Sequence, residues 1–155
     1  MTLKPLRVRQ ATRENQTAVC ELLSRQLREH GIDLEERLVR AGVDGHFADP
    51  SRGAVLVAEN ENGVVGLAIL ATTWTVEHGG RVAWLEELYV IPELRNAGIG
   101  TRLLGQALRT ARDMGCLAVD LEVDVDHARA ESLYSRAGFR RLPRTRWSLS
   151  LRGSS

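Results

Sequence analysis

The stretch Glu86–Thr101, EELYVIPELRNAGIGT, constrains the fold of this 155-residue chain more than any other part of it. An apolar strand pattern stops at Pro92, and a helical pattern begins near Ile99. Between them, Gly98 and Gly100 let the backbone turn without Cβ interference and bring main-chain N–H groups close to a ligand. The free N–H groups and the positive dipole end of a helix starting here favour a phosphate group. These residues therefore predict a strand, an anion-binding turn and a helix.

Two other phosphate-binding motifs do not fit this turn. A Walker loop requires Gly-Lys followed by Ser or Thr, and the chain contains no Gly-Lys pair. The dinucleotide fingerprint requires a third glycine at position 103, which is Leu103. The pattern that remains is Arg/Gln-x-x-Gly-x-Gly/Ala, which Arg95 opens and Gly100 closes.

This pattern resembles the acetyl-CoA loop of the GCN5-related N-acetyltransferase (GNAT) superfamily. An LYVIP strand precedes the loop, an amphipathic helix follows it, and Ala130–Phe139 matches the family's A-x-x-L-Y-x-x-x-G-F. The LEELYV run is similar to the corresponding strand of the diamine and thialysine acetyltransferases. The resemblance covers almost the whole chain and implies an N-acetyltransferase that uses acetyl-CoA as co-substrate.

The order of predicted elements is β-α-α-β-β-β-α-β-α-β-β, which indicates an α/β fold with a mixed sheet and helices on its faces. It is also the order of the acyl-CoA N-acyltransferase (GNAT) fold. We expect one domain over residues 1–152 and a short tail at 153–155. Asp33 is predicted to cap the second helix, and the strands are predicted at residues 6–10, 54–59, 64–75, 82–91, 117–125, 139–142 and 146–151.

Composition narrows the classes of protein that remain. A hydrophobic content of 43% provides one buried core, and 21 basic against 20 acidic residues give no electrostatic case for nucleic acid or an anionic membrane. Cys20 and Cys116 form no CxxC pair, and the four histidines have no metal-ligand spacing. No apolar run approaches the ~20 residues that span a bilayer. We expect a cytoplasmic protein without a metal.

The resemblance also assigns cofactor contacts. It implies that the phosphates take N–H bonds from the loop, and that the strand opens at a bulge, where its main chain binds the pantetheine arm and the acetyl carbonyl. Many family members carry Asn at the position of His127, where it meets the pantetheine arm. An imidazole also donates or accepts a hydrogen bond, although a plain first-turn helix residue explains His127 as well. The loop residues are Arg95, Asn96, Ala97, Gly98, Ile99, Gly100 and Thr101, and the strand residues are Leu88, Tyr89 and Val90.

Tyr134 and Glu86 are the predicted catalytic residues. A thiolate leaving group has a pKa of about 8.5 and a phenol one of about 10, so Tyr134 suits a general acid, with a packed helix tyrosine as the alternative. Glu86 and Glu87 are adjacent, so their side chains are predicted on opposite faces of the strand. The resemblance makes Glu86 the base that deprotonates the amine. An exposed glutamate without a role, Glu87, or water alone as the base stay open.

The expected reaction is direct attack by a primary amine of a small metabolite on acetyl-CoA in a ternary complex. Neither cysteine has a base placed by a motif and no GxSxG occurs, so no acyl-enzyme is expected. Peptide or protein amino groups are the alternative acceptors. A non-catalytic acyl-CoA-binding module is the alternative of another class. The family also leads us to expect a homodimer.

Overall fold

The structure, a computed structural model, describes residues 5–124 and 128–153. The chain divides into two compact units, Met1–Leu121 and Glu122–Ser155. In the first unit the strands are β1 (Arg7–Gln10), β2 (Gly53–Asn60), β3 (Gly63–Thr75), β4 (Gly80–Val90) and β5 (Val119–Asp120). Its helices are α1 (Gln16–Glu29), α2 (Glu36–Ala48) and α3 (Ile99–Asp113). The second unit contains the helix α4 (Ala128–Arg136).

The five strands form one sheet in the order β1-β2-β3-β4-β5. Strands β1, β2, β3 and β4 pair antiparallel in succession, and β5 runs parallel to β4. The hairpin between β2 and β3 turns through Glu61 and Asn62, between the paired residues Asn60 and Gly63. The α/β class with a mixed sheet is thus confirmed.

The helices of the first unit cover both faces of the sheet. On one face, Val19 of α1 and Val43 of α2 join a buried cluster that includes Tyr89. On the other face, Leu103 of α3 lies beside Val90, because a Cβ added at Gly66 would contact both side chains. Adjacent strand residues point to opposite faces, so Tyr89 and Val90 fix which helix lies on which side of β4.

Replacing Leu103 by Ala should lower the free energy of unfolding by about 2–5 kcal/mol. Leu103 is 0% exposed, and truncation leaves a cavity that the packed sheet and α3 fill only in part. Urea denaturation measures the loss. Leu117→Ala is the matched control, because Leu117 is 63% exposed and the same truncation should cost no more than about 0.5 kcal/mol.

Four local expectations differ from the structure. The helix predicted to be capped by Asp33 begins at Glu36. Of the strand predicted at 117–125, residues 117–124 are described, and among them only β5 is a strand. The strands predicted at 139–142 and 146–151 are not formed: the described residues of the second unit contain no strand. A period-two apolar pattern becomes a strand only when a neighbouring chain pairs with it. Here the alternating side chains are largely exposed; they are Trp147, Leu149 and Leu151.

No helix in the described parts of the chain is both long enough and apolar enough to cross a bilayer. The extent of the single domain stays a prediction.

Candidate active site

The turn between β4 and α3 has the backbone geometry that its glycines predict. Asn96 and Gly98 have φ angles of 65° and 82°, and α3 begins at Ile99. The Arg102 N–H donates to the Gly98 carbonyl at 3.1 Å, so the N–H groups of the three residues between them come before the hydrogen bonds of the helix. Residues 95–98 are exposed, and a Cβ added at Gly98 would contact nothing within 4 Å. The turn therefore presents main-chain donors to solvent.

The side chain of Arg95 ties this turn to its neighbours. Its Nε donates to the Val90 carbonyl at 2.9 Å, and its terminal nitrogen donates to Glu29 at 2.8 Å. The guanidinium lies 5.4 Å from the ring centroid of Tyr89, whose hydroxyl donates to the other oxygen of Glu29 at 2.5 Å. The charge of Arg95 is already paired with Glu29. The main-chain N–H groups of the turn are therefore better placed than the Arg95 side chain to bind a phosphate.

The protonation states of Glu29 and Tyr89 maintain the hydrogen bonds among Arg95, Glu29 and Tyr89. Burial alone would raise the pKa of Glu29, but hydrogen bonds from Arg95 and Tyr89 bring it below its usual value. Burial, together with the hydrogen bond to Glu29, raises the pKa of Tyr89 to about 12. At neutral pH the carboxylate is therefore charged and the phenol keeps its proton, so each hydrogen bond has both its donor and its acceptor.

One edge of β4 opens next to this turn. Among the residues that the structure describes, the pairing of β4 with β5 covers Ala83 and Trp84, whereas the pairing with β3 continues to Val90. From Leu88 to Val90 the strand is therefore hydrogen-bonded to β3 and is no longer paired with β5. The opening of the strand around the pantetheine arm, and the binding of pantetheine there, stay predictions.

A bulge in β4 brings Glu86 and Glu87 to the same face of the sheet. Ile69 of β3 pairs with Glu87 and the next residue pairs with Leu85, so Glu86 is the extra residue. Glu86 contacts His46 of α2 and Glu87 contacts a side chain of α1, and both helices cover one face. The prediction of opposite faces is wrong, because a bulge interrupts the alternation of side chains.

The two glutamates have different surroundings. His46 Nε2 lies 3.1 Å from Glu86 Oε2, and the Glu86 side chain is 44% exposed. Glu87 is half-buried and accepts a hydrogen bond from Gln26. Burial and the charge of Glu86 raise the pKa of Glu87 to about 7, although the bond from Gln26 acts in the opposite direction. A carboxyl with a pKa close to neutral is suited to accepting a proton.

Sequence reasoning did not identify His46 and Gln26. No motif marks either residue, since each meets a glutamate only because its helix crosses the bulge of β4. Within the described ranges, His46 Nδ1 and Gln26 Oε1 are buried atoms without a hydrogen-bond partner. Their other polar atoms face the two carboxylates, so the cluster is anchored from two helices at once.

Tyr134 lies in the second unit, on α4. It is half-buried, and its ring packs edge-to-face on Phe139 with centroids 5.7 Å apart and an interplanar angle of 68°. Its role as a general acid stays a prediction. His127, predicted to contact the pantetheine arm, lies outside the described residues.

Neither thiol is set up as a nucleophile. Burial raises the pKa of Cys20 and also that of Cys116, so both are held as thiols at neutral pH. The described residues contain no group of three His, Cys, Asp or Glu side chains able to hold a metal ion.

Comparison with known proteins identifies the family. The sequence profile of the Acetyltransferase (GNAT) family matches residues 17–139. The thialysine N-epsilon-acetyltransferase of Mus musculus is 30% identical, with 90% of this chain and 89% of that protein covered. The aminoalkylphosphonate N-acetyltransferase of Salmonella typhimurium is 28% identical, with 86% and 84% covered. The aminoglycoside N-acetyltransferase AAC(6')-Iy in complex with CoA superposes with a TM-score of 0.82 at 15% identity, over 96% of each chain. The chain therefore belongs to the acetyltransferase (GNAT) family and is an acetyl-CoA-dependent N-acetyltransferase.

Proposed function

We propose that the protein transfers the acetyl group of acetyl-CoA to a primary amine of a small metabolite, by direct attack in a ternary complex. The observation that carries this proposal is the pair of carboxylates at the bulge of β4, on the strand that leads to the glycine turn. Carboxylates attract an ammonium group, and the turn offers N–H groups to a phosphate. Relatives named for small amines, thialysine and aminoalkylphosphonate, support this acceptor class.

The cofactor would bind mainly through the main chain. The N–H groups from Arg95 to Thr101 would hold the diphosphate, and the free edge of Leu88, Tyr89 and Val90 would hold the pantetheine arm. The solved relative that contains CoA supports the cofactor, although it shares only the fold with this chain. His127 is retained in this proposal as a side-chain contact to the pantetheine arm.

The chemistry requires two proton transfers. An alkylammonium group has a pKa near 10, so it must lose a proton before its nitrogen attacks the thioester carbon. A carboxylate at the bulge, with Glu86 meeting the amine, would accept that proton. As the C–S bond breaks, Tyr134 would donate its proton to the sulfur. The nitrogen would lose its second proton at this stage, and that proton would replace the one that Tyr134 has given up. The raised pKa of both thiols supports direct attack over an acyl-enzyme.

A panel of acceptors tests the proposal. Release of free CoA thiol from acetyl-CoA is measured with polyamines, amino acids, aminoglycosides and peptides as acceptors. Turnover on small primary amines, with saturation by both substrates and no burst of thiol before the amine is added, is the expected result. Preference for peptides would shift the acceptor class to protein amino groups. Saturable CoA binding without turnover on any amine would identify a non-catalytic acyl-CoA-binding module instead.

Two further expectations from the sequence stay predictions of this proposal. They are a homodimer and a cytoplasmic location. Analytical ultracentrifugation with and without CoA measures the first, and fractionation of the source cells measures the second.

A further inference from the structure

Two adjacent carboxylates of β4 share one face of the sheet, yet they have different partners and different exposure. Glu86 is exposed and interacts with His46 of α2. Glu87 is half-buried and accepts a hydrogen bond from Gln26 of α1. When neighbouring acids have unlike environments, their pKa values separate and they take different parts in acid–base chemistry.

We propose that these carboxylates divide the handling of a cationic acceptor: Glu86, oriented by His46, binds the ammonium group, and Glu87, held by Gln26, removes its proton. This inference rests on the proposed acetyl transfer, and it restricts the acceptors to amines that are protonated at neutral pH. It also makes His46 and Gln26 positioning residues, which act through the two glutamates.

The geometry of Glu86 suits an anchor for a cation. The exposed carboxylate meets an incoming ammonium group before the half-buried one does. His46 engages Oε2, and within residues 5–124 and 128–153 Oε1 is left for a charge-assisted hydrogen bond to the ligand. The His46 side chain is 14% exposed, so its packing on α2 fixes the direction from which it meets Glu86. With Glu86 ionised, Nε2 is the donor of this bond, because a carboxylate only accepts.

The position of Glu87 suits a proton acceptor. Its carboxylate lies one residue from the anchor, on the same face, as a result of the bulge. Its pKa of about 7, raised by burial and by the charge of Glu86, lets it take a proton and return it to solvent in each cycle. The proton moves from R–NH₃⁺ to the Glu87 carboxylate, and the nitrogen lone pair then forms the bond to the acetyl carbon. The C–S bond breaks, and the second proton leaves nitrogen as the sulfur gains one.

The charged and titratable groups described around Glu87 come from three elements. β4 itself supplies Glu86 and Tyr89, and α2 supplies His46, which faces Glu86. On α1, Arg25 pairs with Glu93 at 2.5 Å, and Glu29 is engaged by Arg95 and Tyr89. β3 places the apolar Ile69 opposite Glu87. Among these groups the charge that acts on Glu87 is that of Glu86, so its removal must move the titration of Glu87.

The decisive experiment is the pH dependence of kcat/KM for a primary alkylamine, measured on the full chain. The wild type should lose activity below pH of about 7. Glu86→Gln should move this acid limb to lower pH and raise KM about 10- to 100-fold, the factor for a lost hydrogen bond to a charged group. Gln26→Leu should move the limb to higher pH, because the carboxylate loses a donor. A purely structural role for either residue would not move the limb in opposite directions.

Glu87→Gln tests the proton acceptor itself. It should lower kcat on the alkylamine about 10²- to 10⁴-fold, the usual range for a general base. The loss should be far smaller with an alkoxyamine, whose nitrogen is already neutral at pH 7. Equal losses on both acceptors would overturn the assignment of Glu87. His46→Phe should raise KM for the alkylamine in the wild type but not in Glu86→Gln, and additive effects would overturn the role of His46.

A measurement without turnover separates this inference from the proposed function. The ¹³C carboxyl signal of Glu87, assigned by its absence in Glu87→Gln, should titrate near pH 7 in the free protein and lower in Glu86→Gln. A signal that titrates in the ordinary range for glutamate would overturn the division of roles, whatever the enzyme transfers. Turnover with an unmoved acid limb would also overturn it. Absence of turnover on every amine would defeat the proposed function, and this inference with it.

Discussion

Replacing Tyr134 by Phe should lower kcat for acetyl transfer about 10²- to 10⁴-fold while leaving the affinity for CoA close to that of the wild type. The change removes one hydroxyl and keeps the ring that packs edge-to-face on Phe139, so α4 should retain its fold. The loss follows from the expulsion of an unprotonated thiolate when the general acid is missing. Steady-state kinetics measure kcat, and calorimetric titration with CoA measures the affinity.

The only other tyrosine of the chain provides the matched control. Tyr89→Phe also removes one hydroxyl, but that hydroxyl donates to Glu29 in the support of the glycine turn. We expect a loss of about 1.5–3 kcal/mol in stability, the value of one hydrogen bond to a charged group, and a small effect on kcat. A basic limb in the pH profile that remains in Tyr134→Phe, or equal losses in kcat for the two variants, would contradict the role of Tyr134 as an acid.

The glycine turn could be predicted from the sequence because its geometry is encoded locally. Gly98 adopts the positive φ that a turn at this position requires, and Pro92 ends the strand before it. The helix begins at Ile99, the residue at which the helical pattern begins. The hydrogen-bond donors and acceptors of such a turn lie within a few residues of one another, so the local sequence determines most of its backbone conformation.

The arrangement of the two glutamates could not be predicted in the same way. Whether Glu86 and Glu87 share a face depends on the register between β4 and β3, and the register shifts opposite Ile69 for reasons that no local pattern states. His46 is 40 residues away from Glu86 and reaches it only through the packing of α2. Long-range packing of this kind decides which carboxylate is buried, and therefore which of them has the raised pKa.

The strands predicted at 139–142 and 146–151 are the opposite case, because there the local pattern predicts structure that does not form. The alternation of Trp147, Leu149 and Leu151 satisfies the period of a strand, but a strand is defined by hydrogen bonds to a neighbour. The same limit explains the short β5: the apolar alternation runs on from Leu117 through Val123, but among residues 117–124 only Val119 and Asp120 pair with β4. A sequence pattern states that a segment is able to pair, and the available partner edges decide whether it does.

Replacing Gly98 by Leu should weaken CoA binding at least tenfold, which corresponds to about 1.4 kcal/mol. The space where a Cβ would lie is open in the structure, so the new side chain would clash with no protein atom within 4 Å. It would instead occupy the approach of the diphosphate to the N–H groups at the start of α3. A leucine at a φ of 82° also strains the backbone by about 1–2 kcal/mol, and stability should fall by that amount.

Gly115→Leu separates the strain from the loss of the anion site. Gly115 follows the other end of α3, has a φ of 78°, and also has no atom within 4 Å of an added Cβ. The two variants should therefore lose similar amounts of stability in urea denaturation, while Gly115→Leu binds CoA as the wild type does. Equal affinities for CoA in the two variants would mean that the diphosphate does not bind at the start of α3. The support that Arg95 and Glu29 give to the turn would then serve the fold alone, since the N–H groups that they hold in place would have no ligand to receive.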